Sequence, residues 1–139
     1  MSKDELRGKN NDNKAIIKTM LTEKLQIYQD AYSLAGMLVD NENNVPRHLR
    51  YGEYSKMQSM IFETLDYVFL ANSSFESRLV YINKVICLLG GVRSRLKLYA
   101  DKKLFAARFA KDANDKVEII LAQARGWRDS TMRRNLQPR

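Results

Sequence analysis

The sequence predicts an all-α protein that folds as an antiparallel, up-down four-helix bundle. Its 139 residues are enough for one domain with one core. Two prolines and six glycines leave long uninterrupted segments. In those segments apolar residues recur three and four positions apart, which is the spacing of one helical face. We therefore expect a bundle over residues 14–128, a flexible N-terminal arm at 1–13 and a flexible basic tail at 129–139.

The first two predicted helices cover residues 14–39 and 53–72. The stretch from Asp40 to Pro46 should separate them, because Asn and Asp favour turns and proline cannot continue a helical hydrogen-bond ladder. Their predicted inward-facing residues are Ile17, Met20, Leu21, Leu25, Tyr28, Tyr32, Ala35 and Leu38 in the first helix, and Met57, Met60, Ile61, Leu65, Val68 and Phe69 in the second.

The last two predicted helices cover residues 75–100 and the segment that follows Phe105 and ends around Trp127. Ser74 is placed to cap the third helix, and the short connection before it makes the second and third helices antiparallel neighbours. The predicted inward-facing residues are Leu79, Ile82, Val85, Ile86, Leu89, Val92, Leu96 and Tyr99 in the third helix, and Phe109, Ala113, Val117, Ile120, Leu121 and Ala124 in the fourth.

Positive charge is concentrated in one stretch, Arg78–Lys111, which holds nine Lys and Arg residues and one acid, Asp101. The surplus equals the net charge of the whole chain, +8. On the third helix Arg93 lies roughly 50° from the centre of the inward face and Lys97 about 90°, so both should emerge at the edge of the core. With so few acids in the stretch, we interpret it as a polyanion-binding surface; the alternative is an ordinary solvated helix face.

If the polyanion is a nucleic acid, the cations would contact chiefly its phosphates. Tyr51, Tyr81 and Tyr99 lie near the cluster in sequence and are candidates for stacking on unpaired bases, although the position of Tyr99 favours the core. The glycine pair Gly90-Gly91 interrupts the third helix. It indicates either a tolerated kink or a point where another helix or subunit approaches the backbone.

Signatures of catalysis are sparse, and we expect a protein that is not an enzyme and has no catalytic residue, metal or cofactor. His48 stands between arginines, which disfavour a proton-accepting or metal-binding imidazole. Cys87 lies in an apolar run and is expected to be a small buried hydrophobe rather than a nucleophile. No apolar run reaches the roughly 20 residues that span a bilayer, and the N-terminus lacks the apolar region of a signal peptide, so we expect a cytoplasmic protein without membrane contact.

Three segments resemble a known family. The first shows Pro-Arg-x-x-Arg-aromatic and then a helix that ends in Ala-Asn, here Pro46, Arg47, Arg50, Tyr51, Ala71 and Asn72. The second is VRSRLKLYADKKLF, which is similar to a third-helix ending with two bases four apart, here Arg93 and Lys97. The third and weakest is Ala124-Arg125-Gly126-Trp127, where the family typically has Leu-Gly-Gly-Trp. Ala122 also departs from the family, which often has a basic residue there.

The family is the four-helix-bundle group that contains the accessory variability determinant of diversity-generating retroelements and the bundle proteins encoded within rRNA intervening sequences. The resemblance covers most of residues 14–128. It implies a homopentameric ring that binds a reverse transcriptase and its template-repeat RNA, and with them the cDNA, and that supports mutagenic cDNA synthesis without being the polymerase. A protein of the intervening-sequence type is the sibling interpretation, and a protein-only helical adaptor is the alternative from another class.

Charge and resemblance together predict a nucleic-acid-binding site. Arg93 and Lys97 form its centre, because helical geometry and the family pattern both select them. The supporting phosphate contacts are expected from Arg95, Arg47, Arg50, Lys102, Lys103, Arg78 and Arg108.

Overall fold

Four long helices make up the body of the protein. The computed structural model describes Ser2 and residues 21–136. The helices are α1 (Gln26–Asn41), α2 (Ser55–Ser73), α3 (Arg78–Asp101) and α4 (Ala107–Leu136). Each helix packs antiparallel against the next in the chain, and α4 packs back against α1. The predicted all-α class and the antiparallel bundle of four main helices are confirmed, and the described residues contain no strand.

One core runs through the bundle and draws buried side chains from all four helices. The predicted inward faces of the second, third and fourth helices are confirmed, since every position named for them is buried or partly buried. The largest fully buried side chains of the helices are Leu34, Leu38, Met57, Ile61, Ile82, Leu89, Leu96, Ile120 and Leu121.

The first helix differs from the prediction. Leu25 has an extended backbone, with φ −65° and ψ 136°, and it separates the helical residues 21–24 from α1. The interruption changes the register, so Ile27, Ala31, Leu34, Ala35 and Leu38 face the core. The predicted inward positions Leu21 and Tyr32 are wrong, since these residues are 53 % and 68 % exposed. A continuous helix over 14–39 is wrong at Leu25, and its first residues lie outside the described part of the chain.

The connection between α1 and α2 is mostly helical. A 3-10 turn covers Glu42–Asn44, a single α-helical turn covers Arg47–Leu49, and a π-helical turn, Arg50–Tyr54, leads directly into α2. Tyr54 is fully buried, and its hydroxyl donates a hydrogen bond to the Leu38 carbonyl at the end of α1. This contact joins the connection to the core and fixes the end of the bundle where α3 also ends.

The last helix is longer than predicted. It was expected to end around Trp127, with a flexible tail from 129, but α4 continues to Leu136. Thr131 is buried, and its hydroxyl donates to the Trp127 carbonyl at 2.8 Å. The predicted helix end around Trp127 is therefore wrong, since neither proline nor glycine interrupts the helix from there to Leu136. The predicted arm at 1–13, except Ser2, and residues 137–139 lie outside the described part. No helix within that part is long and apolar enough to cross a membrane.

Candidate functional site

A groove follows the seam between α3 and α4 at the end of the bundle where α3 finishes. It encloses about 400 Å³ and is lined by Arg93, Leu96, Lys97, Ala100, Asp101, Ala107, Ala110, Lys111 and Asn114. The alanines and Leu96 give it an apolar floor. Three cations stand at its sides. Arg93 and Lys97 are the centre of the predicted site, whereas Lys111 belongs to the basic stretch but is not among the predicted site residues. This surface is called the α3–α4 groove below.

The cations of the groove are paired with acids, which the sequence interpretation did not foresee. Five ion pairs occur in and around it: Arg93–Glu118 at 3.1 Å, Lys97–Asp101 at 3.0 Å, Lys111–Asp115 at 2.8 Å, and Arg95–Glu53 and Arg108–Asp112 at 3.9 Å each. Except for Asp101, these acids lie outside Arg78–Lys111 in sequence: Asp112 and Asp115 follow their partners by four positions on α4, while Glu53 and Glu118 come from other elements. The expectation of a basic surface without neutralising acids is therefore wrong.

These ion pairs are weak ones. Lys97 is 78 % exposed and Arg93 43 %, and their partners are similarly open to water. Exposed pairs contribute only about 0–1 kcal/mol each, since water and salt screen them. The Asp115 carboxylate, by its hydrogen bond and its charge, raises the pKa of Lys111. The exposed carboxylates therefore hold the groove cations only weakly.

The turn between α3 and α4 carries two cations without acidic partners. Lys102 and Lys103 are exposed, and no carboxylate of the described residues lies within ion-pair distance of either. Lys103 has φ 60°, the left-handed conformation that ends many helices. Asp101 and Ala107, on either side of the turn, both line the α3–α4 groove. The two lysines thus extend the positive surface beyond the end of the groove.

Three predicted site arginines make hydrogen bonds that hold the fold together. Arg78 lies at the other end of α3, where its Nε donates to the Ala71 carbonyl at 2.9 Å and its guanidinium stands over the Trp127 ring at 5.8 Å. Burial, and then the charge of Arg134, lowers the pKa of Arg78.

Arg50 and Arg95 also hold the fold. Arg50 donates from Nη2 to the carbonyls of Asn43 and Val45, at 3.3 and 3.2 Å, and so fixes the connection between α1 and α2. Arg95 donates from Nη1 to the Gly91 carbonyl at 3.1 Å. Arg95, unlike Arg93 and Lys97, does not line the groove. Of the remaining predicted contacts, Arg47 is exposed on the same connection, and Arg108 is exposed in the first turn of α4.

Two of the three candidate stacking tyrosines are committed to other contacts. Tyr81 stacks on Tyr67, with ring centroids 5.9 Å apart. Tyr99 packs against Phe105 at the edge of the core, as its sequence position favoured. Burial and the neighbouring Glu53 raise the pKa of Tyr99. Tyr51, on the connection between α1 and α2, is 75 % exposed and presents its ring to solvent.

The glycine pair and the cysteine are explained by the register of α3. A Cβ at Gly91 would lie 2.6 Å from the Met60 Cε of α2, so the approaching helix belongs to the same chain, whereas a Cβ at Gly90 would meet nothing within 4 Å. Cys87 is exposed, and its predicted burial is wrong. It lies two positions after the buried Val85, about 200° around the helix and therefore on the outer side. Within the described residues, no three His, Cys, Asp or Glu side chains form a metal-binding group.

Comparison with known proteins adds no relative. No family model, no curated protein and no solved structure matches this chain.

Proposed function

We propose that this protein is a non-enzymatic RNA-binding bundle that acts as an accessory protein of the reverse transcriptase of a diversity-generating retroelement. One observation carries the RNA-binding part: Arg93, Lys97 and Lys111 line one groove, and Lys102 and Lys103 extend its positive surface. A single strand of RNA would place its phosphates against these cations and its sugars along the apolar floor. Such contacts position the backbone without reading its sequence.

The arrangement of charge supports RNA as the ligand. The carboxylates now paired with the groove cations would be exchanged for phosphates, and this exchange is inexpensive because the pairs are exposed. Each phosphate contact also releases counterions from the RNA, which is a further gain at low salt. Tyr51 stands at the same end of the bundle, with its ring available to an unpaired base.

The proposed partners are the reverse transcriptase, the template-repeat RNA and the cDNA, and the proposed assembly is a homopentameric ring. The resemblance of three segments to the accessory variability determinants supports this, and so does the bundle of four antiparallel helices. The alternative within the same family is a bundle protein of the rRNA-intervening-sequence type. Light scattering of the purified protein tests the ring. Co-purification with a neighbouring reverse transcriptase, followed by sequencing of the cDNA made, tests the partner and separates the two siblings.

The experiment on the site is an RNA titration of Arg93→Gln/Lys97→Gln. If each cation contacts one phosphate, the slope of log affinity against log salt should become shallower by about 1.4, from roughly 0.7 per contact for a single strand. The matched control is Lys24→Gln/Lys56→Gln, which removes the same charge from exposed positions outside the groove. Unchanged RNA binding by the groove variant, with helicity retained, would reject the site.

A protein-only adaptor is the second candidate, and the five ion pairs favour it. Their carboxylates reduce the positive field around the groove, and a protein partner tolerates such a mixed surface better than a polyanion does. The absence of RNA affinity at low salt for the unmodified protein would select the adaptor.

A further inference from the structure

A second surface lies on the other side of the bundle, along the seam between α1 and α2. Two adjoining grooves run there, and they share Glu23 and Tyr28. Tyr32 lines one groove, while Leu65 and Phe69 line the other. The complete lining is Thr22, Glu23, Tyr28, Gln29, Tyr32, Leu65, Asp66, Phe69 and Leu70. This surface is called the α1–α2 face below.

The α1–α2 face exposes large apolar and aromatic side chains. Tyr32 is 68 % exposed, and Phe62 is 51 % exposed. Phe62 lies four positions before Asp66 and seven before Phe69, so the three share one stripe of α2. Tyrosine and phenylalanine are costly to leave in water in a contiguous patch, and they are the residue types that anchor protein–protein contacts.

The charge of this face is opposite in sign to that of the α3–α4 groove. The sequence of α1 contains no Lys or Arg, and the only one in α2 is Lys56, in its first turn at the far end. Lys24 follows Glu23 and is exposed, but it lines neither groove. Glu23 and Asp66 flank Tyr28, and within residues 21–136 neither forms an ion pair. The third acid of the region, Asp30, instead accepts hydrogen bonds from Gln123 and Lys116 of α4.

The ionisation of Tyr28 reflects the same surroundings. Burial, and then the negative charges of Glu23 and Asp66, raises the pKa of its hydroxyl. Both carboxylates therefore act at one point of the groove. A cation that enters there is attracted by two acids, and the side chains of Tyr28 and Tyr32 line the adjoining grooves around it.

We propose that the α1–α2 face docks a Lys- and Arg-rich amphipathic segment of another protein. Its apolar side chains would cover Tyr32, Leu65 and Phe69, and its cations would pair with Glu23 and Asp66. A nucleic acid is disfavoured because the face presents acids to its phosphates. The proposal concerns another surface and another ligand class than RNA binding in the α3–α4 groove, and either can fail without the other.

The probe is a fluorescein-labelled helical peptide of lysine and leucine, about 14 residues or four turns long, titrated against the full-length protein. The face variant is Tyr32→Ser/Asp66→Lys, and the control is Ile119→Ser/Asp40→Lys, which likewise replaces a large exposed side chain by serine and an exposed acid by lysine at positions that line neither groove. We expect the face variant to bind the peptide at least about tenfold more weakly than the unmodified protein, since aromatic anchors and desolvated charges dominate such interfaces. The control should stay within about twofold, and a glutamate–leucine peptide should not bind.

Four results would overturn the proposal. The first is that the unmodified protein does not bind the peptide, and the second is that the face variant and the control lose the same affinity. The third is that the face variant changes the oligomer mass in light scattering while its peptide affinity is unchanged, which would make the face a contact between copies of this chain. The fourth is that the face variant loses RNA affinity and keeps peptide affinity, which would make the face a nucleic-acid surface. With the proposal correct, the RNA affinity of the face variant is not reduced.

Discussion

Arg93 of α3 donates a hydrogen bond from Nη1 to Glu118 Oε1 of α4 at 3.1 Å, across the seam that forms the α3–α4 groove. The guanidinium and the carboxylate are both close to half exposed. Their attraction is therefore worth no more than about 1 kcal/mol to the fold. In the proposed RNA binding, the same carboxylate would compete with phosphate for Arg93.

Removal of that competitor should strengthen RNA binding. Glu118→Gln leaves Arg93 without its charged partner, and we expect RNA affinity at low salt to rise about two- to fivefold, or roughly 0.5–1 kcal/mol. The free energy of unfolding, measured in urea, should fall by less than about 1 kcal/mol. Glu63→Gln, an exposed position of α2, is the control for the change in net charge. Equal affinities of the two variants would contradict a role of Arg93 in binding RNA.

The end of α3 allows a test in which stability and binding change in opposite directions. Lys103 has φ 60°, which costs a non-glycine residue about 1 kcal/mol. Lys103→Gly should raise the free energy of unfolding by about 0.5 kcal/mol, because glycine relieves the strain but loses more entropy on folding. The salt dependence of RNA binding should become shallower by about 0.7, the value for one phosphate contact.

Lys103→Gln separates these two effects. It removes the charge and keeps the strained backbone, so it should reproduce the change in RNA binding without the gain in stability. A glycine variant that is more stable yet binds RNA with an unchanged salt slope would exclude Lys103 from the site.

The fold was largely predictable from the sequence, while the pairing of side chains between different helices was not. Apolar spacing located the inner faces of three helices because each is one amphipathic segment. It failed at Leu25, where two helical registers meet. It also failed at Trp127, because polar residues such as Arg128 and Asp129 occur both inside helices and after their ends. Helical spacing placed Arg93 and Lys97 on the groove. It did not reveal Glu118, because contacts between helices depend on how the two helices pack.

Arginines show the same limit. Charge counting treats Arg78 and Lys102 alike, yet Arg78 donates to backbone carbonyls at the end of α2, while Lys102 stands in solvent. A guanidinium has several donors and serves such capping roles well. No local sequence pattern distinguishes Arg78 from Lys102, because the carbonyls that Arg78 caps belong to another helix.

Ionisation of Tyr54 should lower the stability of the protein at alkaline pH. Burial, and to a smaller extent Glu42, raises the pKa of Tyr54 to about 12, against the opposing effect of a hydrogen bond with Asn41. The folded protein therefore favours the neutral phenol. The stability that this contributes is complete below pH 10, the ordinary tyrosine value, and is lost as the pH rises from 10 to 12. The loss should be at most about 2.7 kcal/mol, as two pKa units imply.

Tyr54→Phe isolates this contribution. The variant should be less stable at pH 7 by about 1 kcal/mol, because the Leu38 carbonyl loses its donor. Between pH 10 and 12 its stability should fall less than that of the unmodified protein. Tyr28 and Tyr99, whose pKa values are also raised, act in both proteins and cancel in the difference. Urea titrations along this pH range measure the effect. Parallel curves of stability against pH for the two proteins would show that Tyr54 ionises as readily in the folded state as in the unfolded state.

The two adjacent glycines of α3 should respond differently to alanine. Both have helical backbone, and alanine is favoured over glycine in a helix by about 1 kcal/mol. A methyl group at Gly90 meets open space, so Gly90→Ala should gain most of that amount.

At Gly91 a methyl group would lie 2.6 Å from Met60 Cε and 3.2 Å from Arg95 Nη1. Met60 must then move within a packed seam, which offsets part or all of the gain. Gly91→Ala should therefore be the less stable variant in urea. A Gly91→Ala protein at least as stable as Gly90→Ala would mean that the Met60 side chain moves away from the methyl group without cost.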